Sequence, residues 1–433
     1  MAGRKKKVEL KVEEEIPQDI GREEGFDPSS IPDFSDGIKE ALLAMQDRRK
    51  NRTTGFKTAA EVTRSMIPIR DFRLQYLLGC KGLPHGTCIE IIGGENIGKS
   101  TLTYWLAGGA IMAGGHVAIQ ESEGKALSPD WALRALHSNP EVAKKMLNQI
   151  TVFENVFSLD QMEENMLDWF KVMREEIGVP MHLPLLMIVD SWSKLMSVAE
   201  SEGYFDWGDK LDTAGKKAFK GTAEGSNFGH SKWAHAFCRR LPYTLTHYNA
   251  VLLNVCHQND KVSMSMGGGG FSIPEDAKNM FNKTKIGGRA FNQNSSIQLI
   301  LGYKGAVKNS DNKSVGQKVA IRCDKNSYGP KNRVVEYELH DQDFNDTEGY
   351  LDPSIRFHKD LANWMTTEKL LGTTASRARY TSDAVGVINA TAEDFSVAFH
   401  ANQELVNELG IELGIQGYSN ILESINEQPE KDE

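Results

Sequence analysis

"TCIEIIGGENIGKSTLTYWLAGGAIMA", residues Thr87–Ala113, decides how this chain reads. An apolar run of strand length ends at Gly93. Gly98, Lys99 and Ser100 come after four intervening residues, and an apolar segment of helix length follows. The spacing fits G-x-x-x-x-G-K-[ST] in the context that motif requires, a strand before and a helix after. Each part has a physical task. Glycines let backbone N–H groups turn inward around phosphate oxygens. The helix that starts there points its positive end at an anion. Lys99 brings a point charge to the β- and γ-phosphates, and the Ser100 hydroxyl is a ligand for Mg2+. Gly93, Gly94, Glu95, Asn96, Ile97, Gly98, Lys99, Ser100 and Thr101 are therefore the expected binding loop for ATP with Mg2+.

A triphosphate site also needs a carboxylate for the cation at the end of a neighbouring strand. "LLMIVDS" offers Asp190 there. Hydrolysis needs a group that orients or deprotonates water. "HVAIQESEGKALSPDWA", starting at His116, offers Glu121 and Glu123, which strand parity places on one side.

Working outward, 433 residues suffice for one large domain with additions or for two domains. A composition 40% hydrophobic and 25% charged suits a soluble globular chain, and no apolar run reaches the ~18–20 residues of a membrane span. No membrane partner is expected. The opening "MAGRKKKVELKVEEE" has a basic cluster but no apolar core, unlike a secretory signal. Cys80, Cys88, Cys238, Cys256 and Cys323 are scattered without a CxxC pair, so neither a disulfide framework nor a zinc site is expected, and a reducing cytoplasm fits. The formal net charge of −9 requires any nucleic-acid face to be local.

Residues 1–65 read as a peripheral element, with an amphipathic helix over Asp36–Arg49. Residues 66–345 read as the core. Strand-length runs such as "HVAIQE", "QITVFEN", "PLLMIVD" and "AVLLNVC" alternate with helical segments at Ser100–Ala113 and Leu159–Glu176. That alternation predicts an α/β fold with a mainly parallel twisted sheet, helices on both faces. "SSIQLILGY", "KVAIRC" and "RVVEYEL" follow one another closely and predict an antiparallel extension. Residues 346–433 read as a C-terminal extension with one amphipathic helix over Asp394–Leu413 and an acidic tail. Long polar or Gly-rich interruptions at 200–230 and 259–288 are candidate functional loops.

This combination resembles the RecA recombinase family, and within it the phage UvsX-like branch, over about residues 66–345. "IPIRDFRLQYLLGCKGLPHGTCIEIIGGENIGKST" is similar to the family's Gly-Leu-Pro turn leading into the phosphate-loop strand. "AIQESEGKALSPDW" resembles the segment whose Glu activates water, which implies Glu123 as the catalytic carboxylate and Trp131 as the ring over adenine. "IVDS" resembles the Walker B strand with Asp190. "LLNVCHQND" resembles the strand ending in the family's Gln switch, which implies Gln258 as γ-phosphate sensor. "GGRAFNQNSSIQLIL" resembles the segment closing the second DNA-binding loop, and "EGYLDPS" the end of the core. "CDKNS" offers Lys325 for a lysine placed across the subunit interface. The loop after Gln258 is longer than the family's, and the region at 200–230 is expanded. The resemblance implies a RecA-type P-loop ATPase core, a DNA-dependent ATPase, a homo-oligomeric helical filament on single-stranded DNA, exchange with double-stranded DNA, and single-strand-binding and loader proteins as partners.

Residues 259–290 carry Lys261, Lys278, Lys283, Lys285 and Arg289 as candidate phosphate contacts. Gly287 and Gly288 permit close backbone approach, and Phe271, Phe281 and Phe291 are candidate wedges or base-stacking rings. Residues 208–230, with Lys216, Lys217 and Lys220, read as a first DNA loop, and 230–241 as a helix whose Trp233, Phe237 and Leu241 form a core stripe. His230, His235 and His257 are isolated and have no companions at metal-ligand spacing. The acidic end, Glu423–Glu433, reads as a solvating tail or as a competitor for the basic loops. Two rival readings share the phosphate loop: a hexameric helicase-like motor on the same fold, and a non-hydrolysing recombination mediator.

Overall fold

The computed structural model describes residues 65–123, 129–137, 139–196, 218–259, 263–264, 271–272, 284–285, 289–308, 311–340 and 357–415, in places, including 218–232, the backbone alone. The predicted helix at Asp36–Arg49, the acidic tail and "EGYLDPS" lie outside them.

The chain enters through β1 (Met66–Pro68), α1 (Phe72–Leu78) and β2 (Gly82–Pro84), with β1 and β2 antiparallel. Then come β3 (Thr87–Gly93), α2 (Lys99–Met112), β4 (His116–Glu121), α3 (Pro129–Leu136), α4 (Pro140–Leu147), β5 (Ile150–Phe153), α5 (Leu159–Lys171), β6 (Leu185–Asp190), α6 (Ala218–His247) and β7 (Ala250–Asn259). The two-residue strands β8 (Ser263–Met264), β9 (Phe271–Ser272) and β10 (Thr284–Lys285) precede α7 (Arg289–Asn294), β11 (Ile297–Lys308), β12 (Ser314–Asn326) and β13 (Val334–His340). The main sheet runs β13-β12-β11-β3-β7-β6-β4-β5, with β10 paired to β7. From β11 to β5 all neighbours are parallel, and β12 and β13 are the antiparallel extension. Among the described residues, no helix is long and apolar enough to cross a membrane.

Strand β3 is buried at every residue, as a central parallel strand covered on both faces must be. Its odd residues Ile89 and Ile91 pack with Leu102, Leu106 and Ala110 of α2. Its even residues Cys88 and Ile92 pack with Phe237 and Leu241 of α6. Helix α5 buries Leu159, Met162, Met166, Trp169 and Phe170, one amphipathic face, and Ser158 caps it by accepting the Gln161 N–H at 3.2 Å. A five-residue π-turn, Val172–Glu176, continues it.

Three local readings need correction. Residues 218–230, read as part of a loop, belong to α6. The single helix expected over 394–413 is two, α9 (Ala392–Ala401) and α10 (Gln403–Glu412). Asn402 leaves helical geometry at φ −90°, ψ 83°, and its side chain accepts the Leu405 N–H to start the second helix. Between α8 (Phe357–Thr367) and α9, β14 (Thr374–Ser376), β15 (Arg379–Ser382) and β16 (Val387–Ala390) form a small antiparallel sheet that the sequence reading did not foresee. These C-terminal elements share a core, Leu361, Met365, Tyr380, Phe395, Phe399 and Leu409, into which α1 inserts Phe72.

Candidate nucleotide site

Parallel strands end side by side, so the loops leaving their C-terminal ends converge. Strand β3 turns through the phosphate loop into α2. Gly98 sits at φ 84°, and a Cβ there would run into Leu339. A Cβ on Gly93 would lie 2.9 Å from Ile97 Cγ2. These two positions explain the motif's glycines sterically. The first turn of α2 presents Lys99 and Ser100 to a cavity of about 390 Å³. Glu95, Asn96, Ile97, Gly98, Thr101, Glu123, Trp131, Asp190, His257, Gln317 and Leu339 complete its lining.

Ser100 Oγ donates to Asp190 Oδ2 at 2.6 Å, which brings the two expected metal ligands together from α2 and β6. Lys99 is only 6% exposed, and its Nζ donates to the Gly94 carbonyl at 2.5 Å. Burial lowers the Lys99 ammonium below its ordinary range, against the pull of Asp190 and Glu123. Burial likewise raises the Asp190 carboxyl, against the Ser100 hydrogen bond. Trp131, at the start of α3, donates from Nε1 to Thr101 Oγ1 at 2.8 Å, with the Arg134 guanidinium 5.2 Å from its ring centre.

Glu123 lies just beyond β4 and lines the cavity. Its Oε1 accepts from Ser191 Oγ at 2.9 Å and lies 2.5 Å from His257 Nε2. The His257 N–H donates to Ser193 Oγ at 3.2 Å, and the Ser191 and Ser193 hydroxyls are 3.2 Å apart. Glu121 is buried and accepts the Glu123 N–H on Oε1 at 2.9 Å, which positions its neighbour.

His257, set aside in the sequence as an isolated histidine, lines this cavity beside Glu123. Strand β7 sends Val251 and Leu253 to the α2 face and Leu252 and Cys256 to the α6 face. Parity therefore carries His257 to the phosphate-loop side, opposite Gly93 in register, and Gln258 to the other. Gln258 is buried and does not line the cavity; among the described residues its Oε1 has no hydrogen-bond partner. Lys325 does not line the cavity either, and its Nζ donates to the Gln293 carbonyl at 3.0 Å. Phe291, offered as a base-stacking ring, is fully buried with its centre 4.0 Å from that of Trp192. Trp233 and Phe237 stack at 4.8 Å beside it, as a core stripe should. Lys261, Lys278, Lys283, Gly287, Gly288, Lys216 and Lys217 lie outside the described residues. Lys220 in α6, Lys285 in β10 and Arg289 at the start of α7 are described in backbone only.

The chain is 26% identical over 275 residues to the RecA protein of Chlamydia pneumoniae, covering 64% of each chain. It is 24% identical over 329 residues to RecA of Caulobacter sp. (strain K31), covering 74% of each. With RecA of Streptomyces ambofaciens it shares 23% identity over 382 residues, covering 86% of this chain and 80% of the other. The chain is similar to bacterial RecA proteins. The sheet order and the RecA similarity agree on an α/β fold with a RecA-type core. The match spans 64% of the length of the Chlamydia pneumoniae RecA. No protein-family model matches the chain.

Proposed function

We propose that the chain is a RecA-type recombinase: a DNA-dependent ATPase that assembles as a helical filament on single-stranded DNA and exchanges it with a homologous duplex. The observation that carries this reading is the gathering of Lys99, Ser100, Asp190, Glu123 and His257 at one cavity. One of the strands supplying them, β7, leads into the 259–288 segment, where the candidate DNA-binding lysines lie.

In this reading Lys99 leaves the Gly94 carbonyl for the β- and γ-phosphates. The loop N–H groups and the start of α2 hold the remaining phosphate oxygens. Ser100 and Asp190 are hard oxygen donors 2.6 Å apart and suit Mg2+. Among the described residues, no three His, Cys, Asp or Glu side chains form a metal cage of their own, which fits an ion shared with water and phosphate. When bound, that ion supplies neutralising charge on the phosphates. Glu123 orients the attacking water and takes up its proton, while Ser191 holds the carboxylate in place. Trp131 offers its ring to the adenine.

His257, rather than Gln258, is the γ-phosphate sensor. Its Nε2 lies 2.5 Å from Glu123 Oε1, and a γ-phosphate would offer it a competing partner. A shift of His257 then passes along β7 towards the DNA segment. The sequence landmarks favour the phage UvsX-like branch and action in a bacterial host's cytoplasm, with single-strand-binding and loader proteins as partners. Lys325 acts across the filament interface in this reading.

The test is ATP hydrolysis with and without single-stranded DNA, for the parent chain and for Lys99→Ala and Glu123→Gln. The reading predicts strong stimulation, lost in both variants. Hydrolysis indifferent to DNA would favour the helicase-like or another non-recombinase motor. Electron microscopy with a slowly hydrolysed ATP analogue then separates open helices from closed rings.

A further inference from the structure

On the face of the sheet away from the phosphate loop, a row of polar side chains crosses three adjacent strands. Gln298 of β11 is in register with Glu90 of β3, and Glu90 with Asn254 of β7. Glu90 and Asn254 are wholly buried, and Gln298 nearly so. Their strand neighbours on that face, Cys88, Ile92, Leu252, Cys256 and Ile300, belong to the apolar cluster under α6. Gln298 Nε2 donates to Glu90 Oε2 at 2.5 Å and lies 3.0 Å from Ser295 Oγ, just past the end of α7. Cys256 Sγ lies 3.8 Å from Glu90 Oε1. Among the described residues, neither polar atom of the Asn254 side chain has a hydrogen-bond partner.

Such a row is costly in an apolar layer. Aliphatic residues of similar volume would fill it without the desolvation penalty of a carboxylate. Its placement supplies a reason for keeping it. Glu90 lies three residues before Gly93, where the phosphate loop begins. Asn254 lies three residues before His257. Gln298 lies three residues after Ser295, where the segment from 259 to α7 rejoins the sheet. A hydrogen bond to a carboxylate in this low-dielectric layer resists sliding between β3 and β11 far more than apolar contacts do.

We propose that Glu90, bonded to Gln298 in a buried polar row across β11, β3 and β7, is the positioning residue that transmits nucleotide occupancy at the phosphate loop to α7 and the DNA-binding segment it closes. The proposal rests on the recombinase reading above and names the side chains that carry its coupling. Glu90 touches neither nucleotide nor DNA. Its work is to keep the phosphate-loop strand and the strand behind α7 moving as one body.

The experiment measures the affinity of the full chain for a fluorescent single-stranded oligonucleotide, with ADP and with a slowly hydrolysed ATP analogue. The ratio of the two affinities is the readout, alongside nucleotide affinity and the thermal midpoint. The parent chain should show a large ratio. Gln298→Met and Glu90→Leu should cut it by about fivefold or more, with nucleotide affinity held within about twofold. Glu90→Gln keeps an acceptor for Gln298 and should retain most of the ratio, a rescue that simple packing does not explain. Should Glu90→Leu fail to fold, Gln298→Met, at the rim of the row, decides the matter. An unchanged ratio in Gln298→Met overturns the inference and leaves the recombinase reading standing. A ratio of one in the parent chain overturns both.

Discussion

The two ends of the same parallel strands are built to opposite purposes. At their C-terminal ends, Lys99, Asp190, Glu123 and His257 converge on a cavity, and burial pushes Lys99 and Asp190 towards their neutral forms. At their N-terminal ends, charge closes backbone. Arg174, in the π-turn after α5, donates to the carbonyls of Tyr248, Val179, Pro180, Leu183 and Asn249 at 2.6–3.3 Å. Nearby, His85 Nδ1 is 2.9 Å from Ser65 Oγ, and Asn249 Nδ2 donates to that hydroxyl at 3.2 Å. One end turns its polar groups inward on the backbone. The other holds polar groups poised for a ligand. An arginine serving five carbonyls is therefore scaffold, and in the reading proposed above a lysine on one loop carbonyl is machinery.

The comparison predicts crossed effects. The largest is at the C-terminal end: Lys99→Ala and Glu123→Gln should each lower DNA-stimulated hydrolysis by about 100-fold or more with little change in thermal midpoint. A large fall in midpoint with hydrolysis retained would break the comparison. At the other end, Arg174→Ala should cost about 3 kcal/mol of stability, because several carbonyls lose their donor, while hydrolysis per folded molecule stays near the parent level. Chemical denaturation paired with an activity assay below the transition reads both.

A subtler effect sharpens the contrast. Burial, with Arg174 adding to it and the Asn249 hydrogen bond opposing it, lowers His85 from 6.5 to about 4. The folded chain then refuses a proton that the unfolded chain accepts. Stability is full above pH 6.5 and is progressively lost as pH falls towards 4, by at most about 3 kcal/mol. His85→Gln should flatten that acid limb of the midpoint-versus-pH curve. An unchanged limb would mean that His85 titrates alike in both states. Smallest of all, Ser191→Ala removes one of the bonds on Glu123 and should slow hydrolysis several-fold without altering nucleotide affinity.

How legible each end was depends on how local its signal is. The phosphate loop is written in consecutive residues, and its strand and helix come from hydrophobic pattern alone. Asp190 was readable as a carboxylate closing an apolar strand, whereas the pattern after His116 offered Glu121 and Glu123 alike and only the family resemblance singled out Glu123. His257 was not readable, because a lone histidine carries no motif and the adjacent Gln258 answered the family pattern. The parity of Val251 and Leu253 against Leu252 and Cys256 was the available signal, and it points to His257. The Arg174 cluster joins carbonyls far apart in sequence, which no spacing rule reaches. The small C-terminal sheet escaped for a different reason. Strand β14 is exposed at all three residues, so it shows no alternation, and its turn to β15 uses Arg377 and Ala378 at positive φ in place of the usual Asn-Gly. The break at Asn402 was in principle readable as an N-cap inside an amphipathic run.

The central claim is that nucleotide and DNA meet through His257. The direct measurement is hydrolysis across a titration of single-stranded DNA for His257→Ala and Gln258→Ala, with nucleotide affinity measured in parallel. The account predicts that His257→Ala binds nucleotide but loses stimulation by DNA, and that Gln258→Ala keeps most of it. Stimulation intact in His257→Ala and lost in Gln258→Ala would contradict the account.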